Sequence, residues 1–73
     1  MENVSMQEFA TRLKALRQDN HLSQQELANA TGLTQVAIAY WETEQRIPNA
    51  KAVIILARYF NVSTDYLLGE EDY

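Results

Sequence analysis

The sequence predicts an all-α domain of five short helices, and three observations carry that expectation. The first is a device that occurs four times: an apolar residue, then Ser or Thr, then a second apolar residue four positions after the hydroxyl. The second is the spacing of apolar residues between these starts, at three and four, which is the period of a helix buried along one face. The third is the lack of any alternating run of β-branched residues, the pattern a half-buried strand requires. With 73 residues and 47% hydrophobic content the chain holds one small core and no second domain.

Val4-Ser5 with Phe9 opens the first helix, near residues 6–18, whose apolar face is Phe9, Leu13 and Leu16. Leu22-Ser23 with Leu27 opens the second, near 24–31, and Leu33-Thr34 with Ile38 the third, near 35–42. In each the hydroxyl caps free backbone N–H groups while the flanking apolar pair clamps the entering chain as a hydrophobic staple. Glu8 follows Ser5 and Glu26 follows Ser23 at the spacing of a reciprocal capping box. The fourth helix starts near Asn49, just after Pro48, and aligns Val53, Leu56, Ala57 and Phe60 on one face. Val62-Ser63 with Leu67 opens the last, near 64–68.

Residues 23–42 are then two short helices hinged at Gly32, which is a helix-turn-helix. Gly32 stands where the chain must reverse, and a residue without a Cβ adopts a positive φ at little steric cost. Ala28 must be small where the helices cross, and Leu27, Leu33, Ile38 and Trp41 fix the angle between them. The motif makes DNA the first partner to consider.

From Arg12 to Gly69 the chain resembles the phage repressor and Cro helix-turn-helix family, also called the xenobiotic-response-element type. The residues that carry the likeness are Arg12-Leu13-Lys14, Leu22-Ser23-Gln24, Glu26-Leu27-Ala28, Gly32-Leu33-Thr34-Gln35, Trp41-Glu42, Pro48 and Val62-Ser63-Thr64-Asp65-Tyr66-Leu67-Leu68. The resemblance implies a five-helix, lambda-repressor-like domain over residues 1–69, a DNA-binding transcriptional repressor, with an acidic, solvated tail over 70–73. In such proteins the third helix enters the major groove. The residues it would present are Gln35, Val36, Ala37 and Tyr40. The Gln35 carboxamide matches N6 and N7 of adenine, Val36 offers methyls to a thymine methyl, Ala37 permits close approach, and Tyr40 reaches a base or a phosphate.

By the same resemblance Gln24 holds a phosphate at the positive start of the second helix, and Thr43, Gln45 and Arg46 follow the sugar-phosphate backbone. Arg17 and Glu42 correspond to a structural pair between the first and third helices. Two departures stand out. Where the family commonly has glycine, this chain has Asn20-His21 before the second helix and Glu44 after the Trp-Glu pair, so a left-handed turn must be made without glycine and an acid faces the phosphates. The third helix also lacks Lys and Arg, which removes guanine readout by an arginine from that helix.

The net charge of −4 and pI near 4.7 weigh against a strongly electrostatic binder. The excess lies in Glu2, Glu70, Glu71 and Asp72, however, and between Asn3 and Gly69 acids and bases balance at six each. The same acidity supports an alternative, a module that binds another regulator. No nucleophile with a partner base and no phosphate-cradling glycine loop suggests an enzyme. Without cysteine and with His21 as the one histidine, no metal site or cofactor is expected. No apolar run approaches the roughly 20 residues of a membrane span, so a cytoplasmic protein without a membrane or small-molecule partner is expected. The expected partner is double-stranded DNA with a near-palindromic operator, bound by a homodimer. Tyr59, Tyr66, Leu68 and Tyr73 in the fourth and fifth helices and the tail are candidates for its surface.

Overall fold

A computed structural model describes residues 4–72. Five helices follow in order: α1 (Gln7–Asp19), α2 (Gln24–Thr31), α3 (Gln35–Glu42), α4 (Ala50–Phe60) and α5 (Thr64–Leu68). No strand occurs among the described residues. Helix α3 packs against α1 and α2, while α5 closes the other side against α1 and α4. Every helix contributes to one core, whose largest fully buried side chains are Phe9, Leu13, Leu27, Ile38, Leu56 and Leu67. Each such burial is worth about 1.5–3 kcal/mol, so no single helix can leave without opening the centre. Ala28 is also buried, and Leu33 packs partly against the core.

Four helix starts carry the side-chain caps their sequences call for. Ser23 accepts from the Glu26 N–H while Glu26 accepts from the Ser23 N–H at 2.8 Å, completing the box. Thr34, Asn49 and Ser63 accept from the N–H groups of Ala37, Ala52 and Tyr66. The box expected at Ser5 and Glu8 does not form. Helix α1 starts at Gln7 after Met6, with no side-chain cap bond, and Ser5 Oγ accepts only from the Gln7 N–H. Glu8 instead lies 3.3 Å from Arg12, one turn on, and that cation competes for the carboxylate the box needs. The Val4 staple is missing as well. Val4 is 79% exposed, and Met6 supplies the apolar contact at this end by packing against the core.

The turns explain where backbone freedom is needed. Gly32 closes α2 at φ 74°, with open space around it, so conformation alone asks for glycine. At Gly69 space also matters: a Cβ there would lie 2.5 Å from the Glu8 Cβ, and only glycine lets the end of α5 touch α1. His21, Glu44 and Asn61 adopt positive φ without that advantage.

The acidic end is not the freely solvated tail expected. Arg12 Nη1 donates to the backbone carbonyls of Tyr66, at 2.7 Å, and Glu71, while the guanidinium lies 4.4 Å over the Tyr66 ring. Ser63 Oγ donates to the Glu71 carboxylate at 2.7 Å. The guanidinium thus ties the end of α5 and the segment beyond it to α1. No helix among the described residues is long and apolar enough to cross a membrane.

Candidate nucleic-acid interface

The residues singled out around α3 divide into an inner row, packed toward α1 and α2, and an outer row. The inner row is a continuous chain of hydrogen bonds. Gln35 Nε2 donates to Gln24 Oε1 at 2.7 Å, and Gln24 Nε2 donates to Glu42 Oε1 at 3.2 Å. Glu42 then takes two bonds from one guanidinium, from Arg17 Nε at 2.7 Å and Nη2 at 2.8 Å, while Arg17 Nη1 donates to the Leu22 carbonyl at 2.8 Å. Gln35 and Glu42 are seven residues apart and so stand on one face of α3, two turns from each other. Gln24, at the first position of α2, spans the gap between them.

The Arg17–Glu42 pair is nearly removed from solvent, with side chains 11% and 3% exposed. Hydrogen bonding to Glu42, helped by its charge and opposed by burial, raises the Arg17 pKa above its ordinary value, so the guanidinium stays charged. A planar fork meeting a carboxylate in this way fixes direction as well as distance. Helix α3 is thus held in position by α1 and α2 together, with Trp41 and Ile38 buried beneath it.

The outer row is open. Val36 is 58% exposed on the first turn of α3, and Tyr40 stands one turn beyond it, half-buried. Together with Thr34, Ala37, Trp41, Arg46, Ile47 and Asn49 they line one groove. The loop after α3 is folded by its own polar groups: the Gln45 N–H donates to the Tyr40 carbonyl at 2.8 Å, and Gln45 Nε2 donates to Thr43 Oγ1 at 3.0 Å. Thr43 Oγ1 in turn donates to the Ala39 carbonyl at 2.8 Å. This winding returns Arg46 to α3, where its guanidinium sits 5.1 Å over the Tyr40 ring. Glu44 lines one groove with Lys14, Gln18 and Glu42 and another with Gln45, Arg46 and Ile47.

Gln24, Gln35, Glu42 and Arg17 are therefore brought into one network, while Val36, Tyr40 and Arg46 form a second group. The coupling of Gln24 to Gln35 and the Arg46–Tyr40 stack escaped the sequence reading. A signal for the first existed: both glutamines occupy the first position of their helices, across a short glycine turn. Of the apolar residues proposed for self-association, Tyr59 and Leu68 are 44% and 37% exposed, Tyr66 is half-buried under Arg12, and Tyr73 lies outside the described residues.

A model of the helix-turn-helix family matches residues 13–67. Among curated proteins, the uncharacterized HTH-type transcriptional regulator YobD of Bacillus subtilis is 34% identical over 64 residues, covering 88% of this chain and 57% of the relative. The HTH-type transcriptional activator BcrR of Enterococcus faecalis is 32% identical over 65 residues, covering 89% and 32%. The chain thus spans about half or less of the length of these relatives. Among solved structures, the c2 repressor of Salmonella phage P22 in complex with a synthetic operator superposes with a TM-score of 0.81 at 31% identity, over 89% of this chain and 98% of that one. With both helices of the motif inside the matched span, the chain belongs to the phage-repressor type of the helix-turn-helix family.

Proposed function

We propose that this chain is the operator-reading domain of a transcriptional repressor, with α3 lying in the major groove of double-stranded DNA. The observation that carries this reading is the fixed inner row beside the open outer row. A helix clamped through Glu42 to two neighbours presents Gln35, Val36, Ala37 and Tyr40 in one geometry. One amide hydrogen of Gln35 is committed to Gln24, which leaves its carbonyl and second hydrogen for the edge of an adenine. Val36 is apolar and exposed, suited to a thymine methyl, and Ala37 lets the helix approach.

Gln24 stands in the first turn of α2, where the helix dipole favours an anion, so it orients Gln35 and meets a phosphate at once. Thr43 and Gln45 follow the sugar-phosphate backbone. Residues 1–69 form the DNA-binding unit, with 70–73 an acidic extension. Since one domain covers too few base pairs for useful selectivity, two copies bind a near-palindromic operator with half-sites about 34 Å apart. Their contact lies on the α4–α5 side, where Ile54, Tyr59 and Leu68 are exposed.

Selection from random duplexes at low salt tests the reading. Recovered sites should be A·T-rich half-sites in inverted repeat, and Gln35→Ala should relax preference at one position of each. Failure of every duplex to bind at low salt would falsify the proposal and favour the protein-binding alternative, to which the balanced charge of the folded part is suited. Sedimentation over a range of concentrations, with and without operator, checks the pairing, which a strict monomer on DNA would exclude.

A further inference from the structure

We infer that Arg46, laid over Tyr40, reads a guanine edge and so restores to the recognition surface the base preference that α3 itself lacks. The inference rests on the DNA-reading proposal above. Four observations carry it. Helix α3 has no Lys or Arg between Gln35 and Glu42. The loop bond from the Gln45 N–H to the Tyr40 carbonyl turns the chain back, and Arg46 arrives 5.1 Å over the Tyr40 ring. Arg46 is exposed and forms no ion pair among the described residues, unlike Arg12 and Arg17, so its N–H donors are uncommitted. Finally, Arg46 shares one groove with Val36 and Tyr40, the outward residues of the reading helix.

The stack decides between a base and a phosphate. A phosphate contact needs only a flexible cation beside the groove. An arginine whose guanidinium rests over an aromatic ring has instead given up part of its freedom before binding, while its fork keeps its donors for the ligand. Tyr40 is one turn past Val36 on the outer row, and Arg46 shares one groove with both, beside the residues assigned to base edges. Two parallel N–H groups match O6 and N7 of guanine, which no other base edge in the major groove supplies. The expected half-site therefore carries one G·C pair beyond the A·T step assigned to Gln35 and Val36.

The experiment measures binding of the whole chain to the selected operator and to duplexes substituted one pair at a time, over a salt series. The wild-type protein should prefer guanine at one position of each half-site by about tenfold or more. Arg46→Ala and Arg46→Lys should both lose that preference and keep the A·T preference, since lysine keeps the charge and lacks the fork. Tyr40→Phe keeps the ring and should retain the preference, whereas Tyr40→Leu should reduce it with the salt slope unchanged. The inference is overturned if Arg46→Ala weakens all duplexes alike and lowers the salt slope by about one, which marks a phosphate contact. It is overturned equally if Arg46→Lys discriminates as the wild type does. Absence of any duplex binding by the wild type overturns the DNA-reading proposal together with this one, so the two failures are told apart.

Discussion

The two flanks of α3 are made by different rules. On the inner flank Gln35 and Glu42 are tied through Gln24 to each other and through Arg17 to α1, with hardly any solvent at the ion pair. On the outer flank Val36, Tyr40 and Arg46 touch water, and one stack plus a few bonds within the loop hold them. The inner flank fixes where the helix points, and the outer flank is the side left open for the contacts proposed above. A surface can vary its chemistry freely only if the angle that presents it does not depend on that chemistry.

Removing the centre of the inner flank is the severest way to break this division. Glu42→Ala leaves the Arg17 guanidinium buried without its carboxylate and frees the Gln24 amide, so a loss of about 3–5 kcal/mol is expected in urea unfolding. The paired replacement Arg17→Met with Glu42→Leu should recover much of it, because the loss comes from an uncompensated charge and not from the absence of charge. If Glu42→Ala unfolds at the wild-type midpoint, the inner flank is not what holds α3.

The bridge between the glutamines is a smaller part of the same flank. Gln24→Ala and Gln35→Ala should each destabilise by about 1 kcal/mol, since each removes a half-buried hydrogen bond. Both remove the same bond, so the double variant should fall short of the sum by about 0.5 kcal/mol or more in a cycle measured by urea unfolding. Full additivity would mean that Gln35 is positioned by its own helix alone.

How much of this division could be read from the residues depends on the range of each interaction. The five helices were legible because caps and apolar spacing are local: Ser23, Thr34, Asn49 and Ser63 each bond three residues ahead. Where a local rule failed, at Ser5, a neighbour one turn away had taken the carboxylate the rule needed. The Arg17–Glu42 pair was reached only through the family likeness, because 25 residues separate its members and nothing local joins them. The Arg46–Tyr40 stack depends on how one loop winds, and the latch of Arg12 on Tyr66 and Glu71 spans nearly the whole chain. Neither leaves a periodic trace.

On the outer flank the largest removable strain is at Glu44, which holds φ 62° without being glycine. A left-handed backbone costs an L residue roughly 1–2 kcal/mol, so Glu44→Gly should gain about 1 kcal/mol, seen as a higher Tm. The substitution also removes an acid from the loop proposed to follow the phosphates. Affinity for the selected operator should therefore rise, and rise most at low salt. Higher stability with unchanged affinity would show that Glu44 lies outside the field of the DNA.

The smallest effect concerns the support of the inner flank and depends on pH. Gln24 can bridge Gln35 and Glu42 only if the first turn of α2 is formed, and that turn is pinned by Ser23 and Glu26. The backbone N–H of Ser23, followed by its side chain, lowers the Glu26 pKa below the ordinary carboxylate range. A carboxylate with a depressed pKa in the folded state stabilises the fold at neutral pH. That contribution begins to fall below the ordinary carboxylate range and is gone once pH passes below the folded-state value. Glu26→Gln should accordingly be less stable than the wild type near neutrality, and the gap should close as the solution is acidified through that window. Because Glu26 is fully exposed, the gap is small, and urea midpoints compared at matched pH are the means to see it. A gap that persists below the window would mean that the carboxylate acts through packing of its stem, and the inner flank would then not loosen on acidification.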